Sequence, residues 1–228
     1  MFSLIGCWVQ MCGRFVLGDS NWAQYHDALS LVDGAKQDIS YNIKPTQSVA
    51  LAFISEGRIK ADHARWWFVP HWHKGKVTDW KATTFNARIE SAATKPSFRA
   101  PWKAGRCIIP ASGYYEWTGE KGKKTPWFIS PQSNVPIFFF AGLYSRLTDG
   151  LMSCSILTRS ALSDIQHIHP RTPVMLSADE ILPWLNHSAS DDEVIDTFGT
   201  SWDGRMTYHK VHPFGVKDEG PELIKPAD

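Results

Sequence analysis

Short apolar runs rich in β-branched and aromatic residues, each ending among Gly, Pro, Asn, Asp or Ser, recur along most of the chain and predict strands rather than helices. SVALAFISEGRIKADHARWWFVP predicts a hairpin turning at Glu56-Gly57. GRCIIPASGYYEW and TPWFIS predict a second pair joined through the charged loop TGEKGKKT, and PIFFFAGLYSRL, MSCSILTR, TPVML and MTYHKV predict further strands. Helical spacing is rarer. Trp22, Tyr25, Leu29 and Val32 predict a helix after Ser20 that stops near Gly34. SADE and SDDE are Ser-x-x-Glu capping boxes that announce helices near Ala178 and Asp191, the first shortened or kinked by Pro183. FNARIESAAT predicts a strand end running into a short helix through Ala87–Ala93. Neither repeats nor low-complexity linkers divide the chain, and strands do not alternate regularly with helices. The prediction is an α+β single domain with a curled, largely antiparallel β-sheet core and a few short helices.

Composition narrows the partners. The 228 residues carry a formal net charge of +1, so an anion-binding surface has to be a local patch. Eleven tryptophans are many for one domain, because each indole N–H needs a partner when buried; most are expected in the core and its rim, with some facing a ligand. The four cysteines, Cys7, Cys12, Cys107 and Cys154, show no paired spacing, which argues against a disulfide framework and for a reducing cytoplasm. His71 and His73 could share a strand face, yet no further ligand cluster completes a metal site, so neither metal nor cofactor is expected. No transmembrane run is present, and LIGC near the start lacks the basic and apolar stretches of a lipoprotein signal.

MCGRF, eleven residues in, looks like a second beginning. A chain starting at Met11 would lose that Met and leave a free α-amine on Cys12. Such an amine titrates near pH 8, against about 10.4 for Lys, and the thiol lies two bonds away. The pair can trap an aldehyde: the amine forms a Schiff base, and the thiol closes onto the imine carbon to give a thiazolidine. The plain alternative is that Cys12 is a small buried hydrophobe. Other polar groups favour chemistry. Asn86, Arg88 and Glu90 occupy alternating positions in FNARIE; Glu116 sits among Tyr114, Tyr115 and Trp117, where burial would raise a carboxyl pKa; His169 and Arg171 lie two apart before a strand.

Taken in order, MCGRF, YNIKP, the P-x-W of VPHW, FNARIE, GRCIIPASGYYEW, IHPRTPV and GPELI resemble the SOS-response-associated-peptidase (SRAP) family from Met11 to about Pro226. Members shield abasic sites in single-stranded DNA. The resemblance implies Cys12 as nucleophile, Asn86 holding its amine, Glu116 shuttling protons, and His169 assisting opening of the deoxyribose ring and acting in scission or reversal. It also implies Arg14, Arg88 and Arg171 as phosphate contacts, with Pro45 and Trp72 as apolar wedge and stacking surface. Two departures stand out: Trp66-Trp67 replaces the usual Trp-Gly and adds bulk near the expected DNA cleft, and KVHPFGVKDEGPELI is shorter than the usual form.

With residues 1–11 attached, the Cys12 nitrogen is an amide and cannot form a Schiff base. Residues 1–11 are therefore expected to be a mis-called start or a processed leader, with 12–228 as the SRAP domain. Three functions follow: an enzyme that links covalently to abasic single-stranded DNA, with lyase activity besides; a cysteine autopeptidase that removes its own leader; or a non-covalent single-strand-binding module. A monomer in the cytoplasm, nucleoid-associated when on DNA and without a membrane partner, is expected.

Overall fold

The hairpin at Glu56-Gly57 forms as the turn chemistry dictates. In the computed structural model, which describes residues 13–18, 25, 29, 38–120, 122–132, 138–200 and 205–227, strands β3 (Ser48–Ser55) and β4 (Arg58–Trp66) pair antiparallel along their length. Both turn residues have positive φ, 56° and 73°, the hand that matches strand twist in a two-residue hairpin. β3 is buried from Val49 to Phe53, as its continuous apolar run requires.

Two sheets make up the fold. The five-stranded sheet runs β13 (Met206–Lys210), β8 (Thr125–Pro131), β7 (Gly113–Thr118), β1 (Phe15–Leu17), β2 (Ser40–Ile43). The eight-stranded sheet runs β11 (Arg171–Pro173), β10 (Met152–Ser160), β4, β3, β6 (Arg106–Ala111), β9 (Phe138–Arg146), β12 (Met175–Leu176), with β5 (Asn86–Arg88) also on β10. This sheet curls, because β10 pairs on both edges. Its first half lies between β9 and β4, and its second half between β11 and β5. Only the β10–β4 and β10–β5 pairings are parallel, in keeping with an α+β class.

One expected strand is divided. GRCIIPASGYYEW breaks at Ser112, sending β6 into the larger sheet and β7 into the smaller one, so only β7 pairs with β8. Ser112 is held on both sides of the crossing. Its N–H donates to the Val16 carbonyl at 2.7 Å, and its hydroxyl accepts from the Gly18 N–H at 3.0 Å. The crossing also needs Gly113, where a Cβ would lie 2.4 Å from Phe128 Cζ and 2.9 Å from the Ile129 oxygen. Gly113→Ala is therefore expected to destabilise by about 1–3 kcal/mol through overpacking, measured as a lower urea midpoint at unchanged slope. TPVML divides likewise, into β11 and β12 on either side of Val174.

The sheets meet over an aromatic core. Phe15 of β1 packs edge-on to Trp66 at 5.1 Å and to Phe140 at 5.6 Å, bridging from the smaller sheet to the larger. Trp66, Trp102 and Trp184 are fully buried. Cys107 and Cys154 are buried free thiols whose pKa values burial pushes up. They are hydrophobes here rather than nucleophiles.

Short helices fill the connections: α1 (Ile89–Ala92) directly after β5 as FNARIESAAT predicts, α2 (Arg99–Ala104), α3 (Ile181–Leu185) and α4 (Asp191–Phe198). Both capping boxes form, Ser177 with Glu180 and Ser190 with Glu193. The first opens a 3-10 turn at Ala178–Glu180, and α3 follows as a single short helix containing Pro183. Of the helix expected after Ser20, Tyr25 and Leu29 are described, both buried and joined by a Leu29 N–H to Tyr25 carbonyl bond of 3.1 Å; its other positions lie outside the described residues. Among the described residues no helix is long and apolar enough to cross a membrane.

Candidate functional site

A cleft of about 630 Å³ opens where distant segments converge: Gly13 and Arg14 before β1, Pro45 after β2, Trp67 after β4, Trp117 on β7, Lys124 before β8, and Phe214 near the C-terminus. Its walls are mostly aromatic rings and prolines. Among the described residues that line it, the charged groups are the cations Arg14 and Lys124. Arg14 lies between Trp117 and Phe214, its guanidinium carbon 5.4 and 5.2 Å from the two ring centroids, and Nη1 donates to the Gly215 carbonyl at 3.1 Å. Burial lowers its pKa from the ordinary arginine value, partly offset by Tyr115 and Asp218, and the group remains a cation.

Strand alternation explains the polar groups beside the cleft. Tyr114 turns toward the larger sheet, its hydroxyl 2.9 Å from Thr172 Oγ1, and Tyr115 turns the other way to donate to the Tyr41 carbonyl at 2.9 Å. Glu116 shares the Tyr114 face and is 3 % exposed. Opposite it across the hairpin stands Trp127, whose ring meets His167 at 6.2 Å. The segment from His167 to Thr172 thus touches Tyr114 of β7, two residues before Glu116, at one end and Trp127 of β8, opposite Glu116, at the other, and His169 lies between these contacts.

His169 is 5 % exposed. Its Nδ1 sits 3.1 Å from both the N–H and the carbonyl oxygen of Arg171, while Nε2 is buried with no partner among the described residues. Burial is the main force lowering its pKa from 6.5; the Arg171 backbone opposes this, and the charges of Arg171 and Lys124 add to it. His169 is therefore neutral at pH 7. Between its folded and unfolded pKa values the unfolded chain binds the extra proton, so stability falls as pH drops through about 6.5 toward the folded value. His187, lowered by burial and by Arg106, acts in the same sense. His169→Gln is expected to lose less urea resistance than the parent between about pH 7.5 and about pH 5.5.

Asn86 begins β5, half-buried beside Phe85 of the cleft wall and in register with Ile156. Arg88 is exposed. Arg171 is committed within the protein: Nη1 and Nη2 fork onto Glu90 at 2.5 and 2.8 Å, and Nη2 also donates to the Thr158 carbonyl at 2.7 Å. Burial raises the Glu90 pKa, but the bonds and charge of Arg171 outweigh it and hold the carboxyl below its ordinary value. Arg171 thus fastens β11 to α1, and a phosphate there would share it with Glu90. Pro45 lines the cleft; Trp72 does not, standing 49 % exposed against Trp80 with ring centroids 5.5 Å apart. Cys12 lies outside the described residues, one peptide bond before Gly13 of the cleft. No group of three or more His, Cys, Asp or Glu that could hold a metal occurs among the described residues. Lys124, Pro126 and Phe214 escaped sequence reading, since no local pattern marks segments that meet only in the fold.

A two-sheet α+β domain with a cationic, ring-lined cleft suits a polyanion that carries flat rings. The chain belongs to the SOS response associated peptidase (SRAP) family, whose model matches residues 11–214. It is 34 % identical to the abasic site processing protein YoqW of Bacillus subtilis, over 94 % of this chain and 99 % of that one. To the abasic site processing protein YedK of Escherichia coli it is 31 % identical, over 95 % and 100 %. A crystal structure of a Bacteroides thetaiotaomicron protein superimposes with a TM-score of 0.72 at 27 % identity, covering 82 % of this chain and 85 % of that one.

Proposed function

We propose that the protein processes abasic sites in single-stranded DNA by forming a thiazolidine link through the amine and thiol of Cys12. The observation that carries the reading is the position of Gly13 on the wall of a cationic, aromatic cleft, which tethers the residue before it to that cleft. The relatives named above are abasic site processing proteins, which supports the same substrate. In this mechanism the sugar opens to its aldehyde, with Nε2 of neutral His169 exchanging the proton that ring opening moves. The Cys12 amine adds to the carbonyl carbon, and Glu116 protonates the hydroxyl that leaves as water. The thiol sulfur then bonds to the imine carbon and its proton returns to Glu116. One C–N and one C–S bond form, and one water departs carrying the carbonyl oxygen. Asn86 holds the amine, while Arg14 and Arg88 contact phosphate. Residues 1–11 must be absent or removed for the amine to be free, leaving 12–228 as the working domain.

Protein beginning at Cys12, mixed with a single strand bearing an aldehydic abasic site, should give a complex that survives SDS. A tetrahydrofuran abasic analogue, which has no aldehyde, should give none. Equal SDS-stable yields on both would overturn the covalent reading.

A further inference from the structure

Eight of the tryptophans lie among the described residues, and their indole N–H groups divide them. Five donate within the protein: Trp66 to the Phe85 carbonyl, Trp80 to Thr84, Trp102 to Asp191, Trp127 to Thr118, and Trp184 to the Cys107 carbonyl. Trp67, Trp72 and Trp117 make no such bond among the described residues. Trp67 and Trp117 are partly buried and each packs against a core cluster, while the indole N–H is left over for an outside partner. Of these three, Trp67 and Trp117 line the cleft.

Trp117 is already covered by the Arg14 guanidinium at 5.4 Å and by the Phe214 ring at 6.0 Å. Among the described residues Trp67 has a single ring neighbour, Phe85, at 5.5 Å and tilted by 42°. Its backbone is firmly held. Trp66 exchanges bonds with the preceding turn, from Thr46 N–H at 2.8 Å and to the Gln47 carbonyl at 2.9 Å, and the Trp67 N–H donates to the Arg65 carbonyl at 2.8 Å. The chain bends just past the end of β4, so that Trp66 is buried in the core while Trp67, partly buried, lines the cleft. The backbone that carries this large flat ring is held before any ligand arrives, and Phe85 packs against the ring, which lowers the ordering cost of binding.

We infer that Trp67 is a base-stacking subsite, taking the nucleobase next to the abasic position. This rests on the abasic-site reading and adds a requirement to it: the cleft recognises the missing base partly through the neighbour that remains. Stacking on a ring accepts any base, and a paired, stacked duplex base cannot reach it, so the subsite favours single strands.

The test measures affinity for single strands carrying one tetrahydrofuran abasic analogue, which separates binding from covalent chemistry. In one series normal bases flank the analogue; in the other the flanking bases are replaced by further analogues. The parent should lose about tenfold or more in affinity when the flanking bases are removed, the range expected of one stacked base. Trp67→Ala should lose as much on the normal strand and become indifferent to the flanks, while Trp67→Phe should keep most of both. A Trp67→Ala protein that keeps the parent affinity and flank dependence overturns the subsite but leaves the abasic-site reading intact. A parent that binds neither strand overturns both. Should Trp67→Ala fail to fold, the parent series decides, because an affinity unaffected by flanking bases overturns the subsite.

Discussion

Cys12→Ala, in protein beginning at residue 12, is expected to lose more than a hundredfold of its SDS-stable product with abasic single-stranded DNA. Alanine keeps the terminal amine, so the Schiff base still forms and borohydride should trap it. What disappears is ring closure, the intramolecular step whose high effective molarity makes the adduct persist. Acetylating the parent amine should abolish both the trapped and the persistent product. The two perturbations therefore separate nitrogen from sulfur. A Cys12→Ala protein that forms the persistent link as well as the parent would mean the nucleophile is elsewhere; Cys107 and Cys154 are poor candidates, being buried with raised pKa values.

The second large effect belongs to Glu116. It is almost fully buried on the face of β7 that carries Tyr114 and directly opposite Trp127 of β8, the two side chains that contact the His167-to-Thr172 segment. Glu116→Gln keeps size and polarity but cannot exchange a proton. Single-turnover crosslinking is expected to slow by about 10²–10⁴-fold, the usual worth of a positioned acid–base group. Affinity for the tetrahydrofuran strand should stay close to the parent value. A purely structural glutamate would behave otherwise: binding, urea midpoint and rate would fall together, and the pH–rate profile would keep its shape.

Local chemistry made much of this molecule legible from sequence. Glu56-Gly57 fixed the β3–β4 register, and the Ser177 and Ser190 boxes marked helix starts, because each acts within four residues. The break at Ser112 was hidden. Apolar residues continue through it, and only the distant Phe128 and Ile129 reveal why Gly113 must follow. Of the residues singled out from sequence, Arg14 and Pro45 line the cleft, while contacts between distant segments were opaque. Glu90, read as one member of a polar cluster, holds Arg171, which its spacing from His169 could not disclose. The cleft wall is formed by Pro45, Trp67, Lys124 and Phe214, whose convergence depends on both sheets. In the sequence Trp67 stands out only as a departure from the family pattern; that its indole N–H has no partner among the described residues depends on the fold.

Mass analysis of the peptide joined to an abasic oligonucleotide tests the central claim most directly. The account predicts a single adduct on an N-terminal peptide beginning at Cys12, formed with loss of one water and with the thiol no longer alkylatable. An adduct on a lysine, or on a peptide in which Met11 is still bonded to Cys12, would contradict it.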